Sequence, residues 1–171
     1  MTASLSQTTT TDIIVARPAG IGMDWIVPGV DAAVFNSATD PHLTTRFDAM
    51  DVGGQGTFGK MRCKAALQQE LGLKVAGDVP LAVVLGGSGP RSGLDKLADI
   101  APQLVRNDVQ LAIIVDDAGS TSSARLAEIA ARYPDRVAVR TAQGSTDDHA
   151  LAHRALAAAD LAIVPALDDA R

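Results

Sequence analysis

Four short apolar or apolar-centred runs recur through the second half of the chain: LAVVL (81–85), LAIIV (111–115), RVAVR (136–140) and LAIVP (161–165). Between them, apolar residues return every three or four positions, the spacing of one helical face. KMRCKAALQQELGL, from residue 60, is predicted to be a helix with Met61, Ala65, Leu67 and Leu71 on its apolar side and Gly72 ending it. A second helix is predicted from Ser92 to about Leu104, with Ser92 as N-cap and Asp95 completing a capping box. STSSARLAEIAARY (120–133) is a third, stopped by Pro134, and a fourth starts at Thr146 with Asp147 and Asp148 near the positive end of its dipole. Strands that are apolar throughout are covered on both faces, as in a parallel sheet under helices. The alternation predicts an α/β fold: a doubly wound, Rossmann-like parallel sheet of about four strands with flanking helices. With the strands ordered third, second, first, fourth, a ligand crevice would lie between the C-terminal ends of the first and fourth. The loop at 86–92 and the tail at 166–171 would line it.

The first third of the chain carries no such rhythm. DIIVARPAGIGMDWIVPGVDAAVF (12–35) is apolar but broken by Gly and Pro, which favours short extended pieces over a helix. Residues 36–59 are a long polar, glycine-rich connection. The opening MTASLSQTTTTD reads as an extended, flexible polar arm and lacks the basic start and apolar middle of a secretory signal. The expected organisation is an arm (1–12), an extended and loop-rich docking segment (13–59) and a truncated Rossmann-like domain (60–171).

Composition narrows the partners. A length of 171 residues suits one domain, and 47% hydrophobic with 20% charged residues is a globular balance. The net charge of −5, with Lys and Arg scattered, offers no basic face for nucleic acid or an anionic membrane surface. No run approaches the ~20 apolar residues needed to span a bilayer. The cytoplasm is the expected compartment. Cys63 has no second cysteine to pair with and sits in no zinc-type spacing; it reads as a packing thiol, although Lys60, Arg62 and Lys64 would tend to lower its pKa.

Candidate chemistry is sparse. GQGTFGKM (54–61) fits G-x-x-x-x-G-K, but Met61 stands where a P-loop needs Ser or Thr for magnesium, and no strand precedes it. LGGSGPRSGLDK (85–96) is better placed, between a strand and a helix. Its Gly87, Gly89 and Gly93 are spaced one residue too long for a dinucleotide fingerprint, so a tight turn without ligand is the plainer reading. Asp116 and Asp117 end the next strand, where a metal or a ribose hydroxyl is one use and solvation the commoner one. His149 and His153 lie four apart on one helical face. Two histidines alone make no metal site, so they read as surface residues and no metal is expected. No set of nucleophile, base and orienting group is present.

Five segments together resemble one family: VPGVDAAVFNSATDPHL, GKMRCKAALQQELGL, SGLDKL, ARYPDRVAVR and DDHALAHRALAAADLAIVP. In this order they are similar to bacterial glycogen synthase and plant starch synthase, over the domain junction and the first half of the C-terminal domain. The resemblance implies a retaining glucosyltransferase ancestry, with two Rossmann-like domains, a cleft between them and transfer from ADP-glucose to an α-1,4-glucan. In the family, an Arg and a Lys after the first strand neutralise the donor diphosphate, an electrostatic role. Here Gly87 and Ser92 take those places, with Arg91 adjacent. Asp116, Asp117 and Ala118 replace a Gly-Ser-Gly turn, and Asp169 stands for the Glu that approaches the donor sugar. No catalytic residue is therefore assigned. The resemblance leaves Gly86, Gly87, Ser88, Gly89, Arg91, Ser92 and Asp169 as ligand-binding positions, with no bound cofactor expected. It also leaves the fourth strand, with Leu161 and Ile163, as an uncovered edge, and the Trp25, Ile26 and Val27 strand without its sheet. Both are expected to dock on a protein partner or a second copy. The expected role is a non-catalytic accessory subunit; a residual nucleotide or nucleotide-sugar binder, or half of a split glucosyltransferase, are the alternatives.

Overall fold

The computed structural model describes residues 12–15, 25–28, 31, 33–48, 58–87, 92–116 and 119–165. Ser88, Gly89, Arg91, Asp117, Ala118, Asp169 and the arm up to residue 11 lie outside the described residues. Strands β1 (Asp12–Val15) and β2 (Trp25–Pro28) pair antiparallel, with Ile13 opposite Val27. These are the short extended pieces that the Gly and Pro breaks predict. Of Trp25, Ile26 and Val27 only the backbone is described.

The body alternates as the pattern predicts. Helix α1 (Phe58–Glu70) precedes β3 (Leu81–Gly86), α2 (Leu94–Arg106), β4 (Gln110–Val115), α3 (Thr121–Arg132), β5 (Val137–Thr141), α4 (Thr146–Ala158) and β6 (Leu161–Ile163). All four strands are parallel, in the order β5-β4-β3-β6, with Ala82 between Leu111 and Leu161. This is the third-second-first-fourth order. Successive residues of a strand face opposite sides, and β3 divides accordingly. Ala82 and Val84 join a core with Leu94, Leu97, Leu111, Ile113 and Leu126. Leu81 and Val83 join a second core with Cys63, Leu67, Ala112, Ile114 and Leu151. Helices α2 and α3 therefore cover one face, and α1 and α4 the other.

Helix α1 keeps part of its predicted face, with Leu67 buried and Leu71 packed against the same core, but departs from it in its first turn. Met61 is 51% exposed, whereas Cys63, Lys64, Leu67 and Gln68 are buried. Apolar spacing alone misassigns part of the face because two of its buried residues are polar and fully partnered. Lys64 pairs with Asp160 at 2.6 Å and donates to the Gly77 carbonyl at 3.0 Å. Gln68 donates from Nε2 to Gln110 Oε1 at 2.6 Å, and Gln110 in turn donates to the carbonyls of Lys74 and Asp135 at 2.7 and 3.1 Å. This buried amide relay satisfies loop carbonyls at the N-terminal end of the sheet, which no helix or strand ladder reaches. As expected, Gly72 ends α1, with φ +74°.

The second helix departs from prediction at its cap. Its N-cap is Gly93, in the left-handed region at φ +67°, and no side chain caps it. The Ser92–Asp95 capping box is therefore not formed. A complete box instead opens α4, between Ser145 and Asp148. Among the described residues, no helix is long and apolar enough to cross a membrane.

Candidate functional site

A cavity of about 430 Å³ opens at the C-terminal ends of β3 and β4, beside the start of α4. Gly86 and Gly87 form one wall, Asp116 another, and Ser145, Asp148 and His149 a third. The crevice expected between β3 and β6, lined by 86–92 and 166–171, falls largely outside the described residues. A Cβ on Gly93 would lie 1.6 Å from the Pro165 carbonyl oxygen, so the start of α2 is packed closely against the chain leaving β6. The space left among the described residues is on the β4 side.

The cavity presents negative charge. Asp148 Oδ2 accepts from the Gln143 amide (2.8 Å), the Ser145 amide (3.0 Å) and the Ser145 hydroxyl (2.8 Å). The Ser145 hydroxyl bond, these amides and nearby Arg140 hold its carboxyl below the usual range. Helix N-termini attract anions because their first amides are unpaired. At α4 that role is already filled by the chain's own Asp147 and Asp148. Asp116 is exposed, and no Lys or Arg lines the cavity among the described residues. Of the remaining sequence candidates, Ser92 is partly buried and makes no capping bond. Leu161 is 52% exposed on β6, whereas Ile163 packs against the α2–α3 core.

A second constellation escaped the sequence reading. His153 is not a surface residue: its side chain is 1% exposed, and its Nδ1 lies 2.6 Å from Asp40 Oδ2, itself 5% exposed. Asp40 also accepts from the His42 amide through Oδ1 at 2.8 Å, closing a tight turn. Burial raises the Asp40 carboxyl pKa, but the His153 and His42 bonds outweigh it and hold the group below 3.8. Phe35 stacks on His153 with ring centroids 4.4 Å apart. His42 and His149 approach the same ring at 4.8 and 4.7 Å. The available signal was the pair of segments ATDPHL and HALAHR, but nothing in spacing joins positions 113 apart.

Lys60 and Cys63 have structural positions. Lys60 Nζ donates to the carbonyls of Ala157 and Ala159 at 3.1 and 2.7 Å, satisfying the C-terminal end of α4. The lysine of the P-loop-like string is thus spent on a helix end. Cys63 is 5% exposed and donates to the Thr45 carbonyl at 3.0 Å. Burial pushes its thiol pKa up, against the Thr45 bond and Lys60, so the basic neighbours do not activate it. Its reaction with a disulfide reagent at pH 8 is expected to be at least about tenfold slower in the native protein than in urea, because the thiolate is the reactive form. Equal rates would show an open thiol.

No family model matches the chain. Glycogen synthase of Anaeromyxobacter dehalogenans is 38% identical over 140 residues, covering 82% of this chain and 27% of that protein. Glycogen synthase of Bordetella bronchiseptica is 38% identical over 151 residues, 85% of this chain and again 27% of the relative. The chain is a homologue of one part of bacterial glycogen synthase. The glycogen synthase-like region also superposes on the catalytic domain of starch synthase IV from Arabidopsis thaliana, solved bound to ADP and acarbose. That match has a TM-score of 0.67 and 26% identity, over 83% of this chain and 28% of that one. The parallel sheet with helices on both faces is thus a glycosyltransferase fold. The chain spans about a quarter of the length of the curated relatives it matches.

Proposed function

We propose that this glycogen synthase-like unit transfers no glucose itself and acts as an accessory subunit. One observation carries the reading: the cavity at the C-terminal ends of β3 and β4 is walled by Asp116 and Asp148, with no described Lys or Arg. A departing nucleoside diphosphate develops negative charge, and removing the groups that neutralise it costs orders of magnitude in rate. By the resemblance, Gly87 and Ser92 stand at the two positions where the family has its cations. Assembly is supported by β6, which among the described residues pairs with β3 alone, and by the exposure of Leu161 (52%) and of Val164 just after the strand (80%). A partner polypeptide adding a strand there would satisfy the open backbone groups and cover both side chains.

The test supplies ADP-glucose and an α-1,4-glucan primer to the purified protein and follows labelled glucose. No incorporation above a heat-killed control is expected. Primer extension by the chain alone would overturn the reading. Light scattering on the natively purified protein is expected to give a mass above that of one chain. A clean monomer with no co-purifying protein removes the accessory role.

A further inference from the structure

The histidine cluster has the chemistry of a ligand site. A carboxylate only accepts, so the 2.6 Å contact with Asp40 places a proton on His153 Nδ1. The neutral ring then carries its lone pair on Nε2. That atom is buried and has no hydrogen-bond partner. A buried acceptor without a donor costs about 1–3 kcal/mol, unless something else fills the place. The His42 and His149 rings stand beside the His153 ring, and one nitrogen from each of the three lies within 4.8 Å of the others. Tetrahedral zinc holds its nitrogens at about 2.0–2.1 Å, hence about 3.3 Å from each other. His149 is exposed and His42 partly so, which leaves both rings free to close that gap by rotation. A carboxylate bonded to the far nitrogen of a ligating histidine is the usual outer partner of zinc, fixing tautomer and orientation.

We propose that His42, His149 and His153 bind one divalent cation of the imidazole-preferring class, zinc foremost, with Asp40 as the positioning carboxylate. Three nitrogen ligands, with no carboxylate joining the cluster among the described residues, disfavour magnesium and calcium, which take oxygen. Three protein ligands leave a fourth position open. His149 also lines the 430 Å³ cavity, so the cation would stand at that cavity's wall.

The test uses tag-free protein stripped with chelator and then supplied with zinc or cobalt(II). One zinc per chain is expected in native mass spectra, with a rise in melting temperature and the visible bands of four-coordinate cobalt. His149→Ala and His42→Ala, at positions outside the core, should keep the circular dichroism of the parent and lose the metal. Asp40→Asn should weaken binding about 10–100-fold. Absence of zinc at micromolar concentration would overturn the proposal. So would zinc retained equally by His149→Ala and His42→Ala, since the cation would then sit elsewhere.

Discussion

Asp40→Ala is expected to lower the unfolding free energy by about 1–3 kcal/mol, the usual cost of leaving a buried donor without its acceptor. Both side chains are almost out of water, Asp40 at 5% and His153 at 1% exposure. The alanine leaves Nδ1 of His153 without an acceptor inside the packing of α4, and it releases the His42 amide as well. It also removes the buried polar link between residues 36–48 and α4, leaving the Cys63–Thr45 bond and the packing of Leu43 and Phe47 to hold that segment. Asp40→Asn keeps an oxygen for Nδ1–H and should cost only about 1 kcal/mol. The pH dependence follows from the carboxyl being held below its unfolded value of about 3.8. A lowered folded pKa means that the stabilisation is complete above the unfolded value and fades as pH falls through the folded one. Urea midpoints in chelator-treated protein should therefore separate wild type from Asp40→Ala widely at pH 7, and the gap should narrow below pH ~3.8. A gap under about 1 kcal/mol at pH 7 would mean that the pair does not hold the segment.

The sheet could be read from the chain because its two central strands are largely buried on both faces and, Gln110 at the start of β4 apart, carry no polar side chain. The strand order and the capping start of α4 were legible for the same reason: local pattern and global fold agree there. What could not be read is polar and long-range. Lys64, Gln68 and Gln110 look like surface residues in sequence, and only their partners make burial affordable. His153 was misread for that reason too: its acceptor is 113 positions away. The candidate site was half legible. Gly86 and Gly87 stand at a strand end beside a cavity, while Ser88, Gly89, Arg91 and Asp169 lie outside the described residues, and no local pattern shows the backbone contact between Gly93 and Pro165.

That contact makes the second large prediction. In sequence, Gly93 looked like the last glycine of a phosphate loop. In the structure its need for a missing side chain is steric: φ is +67°, and an added Cβ would stand 1.6 Å from the Pro165 carbonyl oxygen and 2.6 Å from its carbon. Gly144 provides the matched comparison, with φ +76° and nothing within 4 Å of an added Cβ. Gly144→Ala should cost only the left-handed strain, about 1–2 kcal/mol. Gly93→Ala adds displacement of a backbone carbonyl to that strain and should cost about 2–5 kcal/mol in total. The damage should also be local. Hydrogen exchange should accelerate in β6 and at the start of α2, because β6 is three residues long and is held by β3 alone. Exchange in β4, which is buried and paired on both sides, should change far less. Equal losses for the two variants would mean that the chain after β6 yields without resistance, and that the glycine serves the left-handed turn and nothing more. A larger loss at Gly93, with exchange rising first in β6, would locate the closure of the β3–β6 side of the sheet in this one missing side chain.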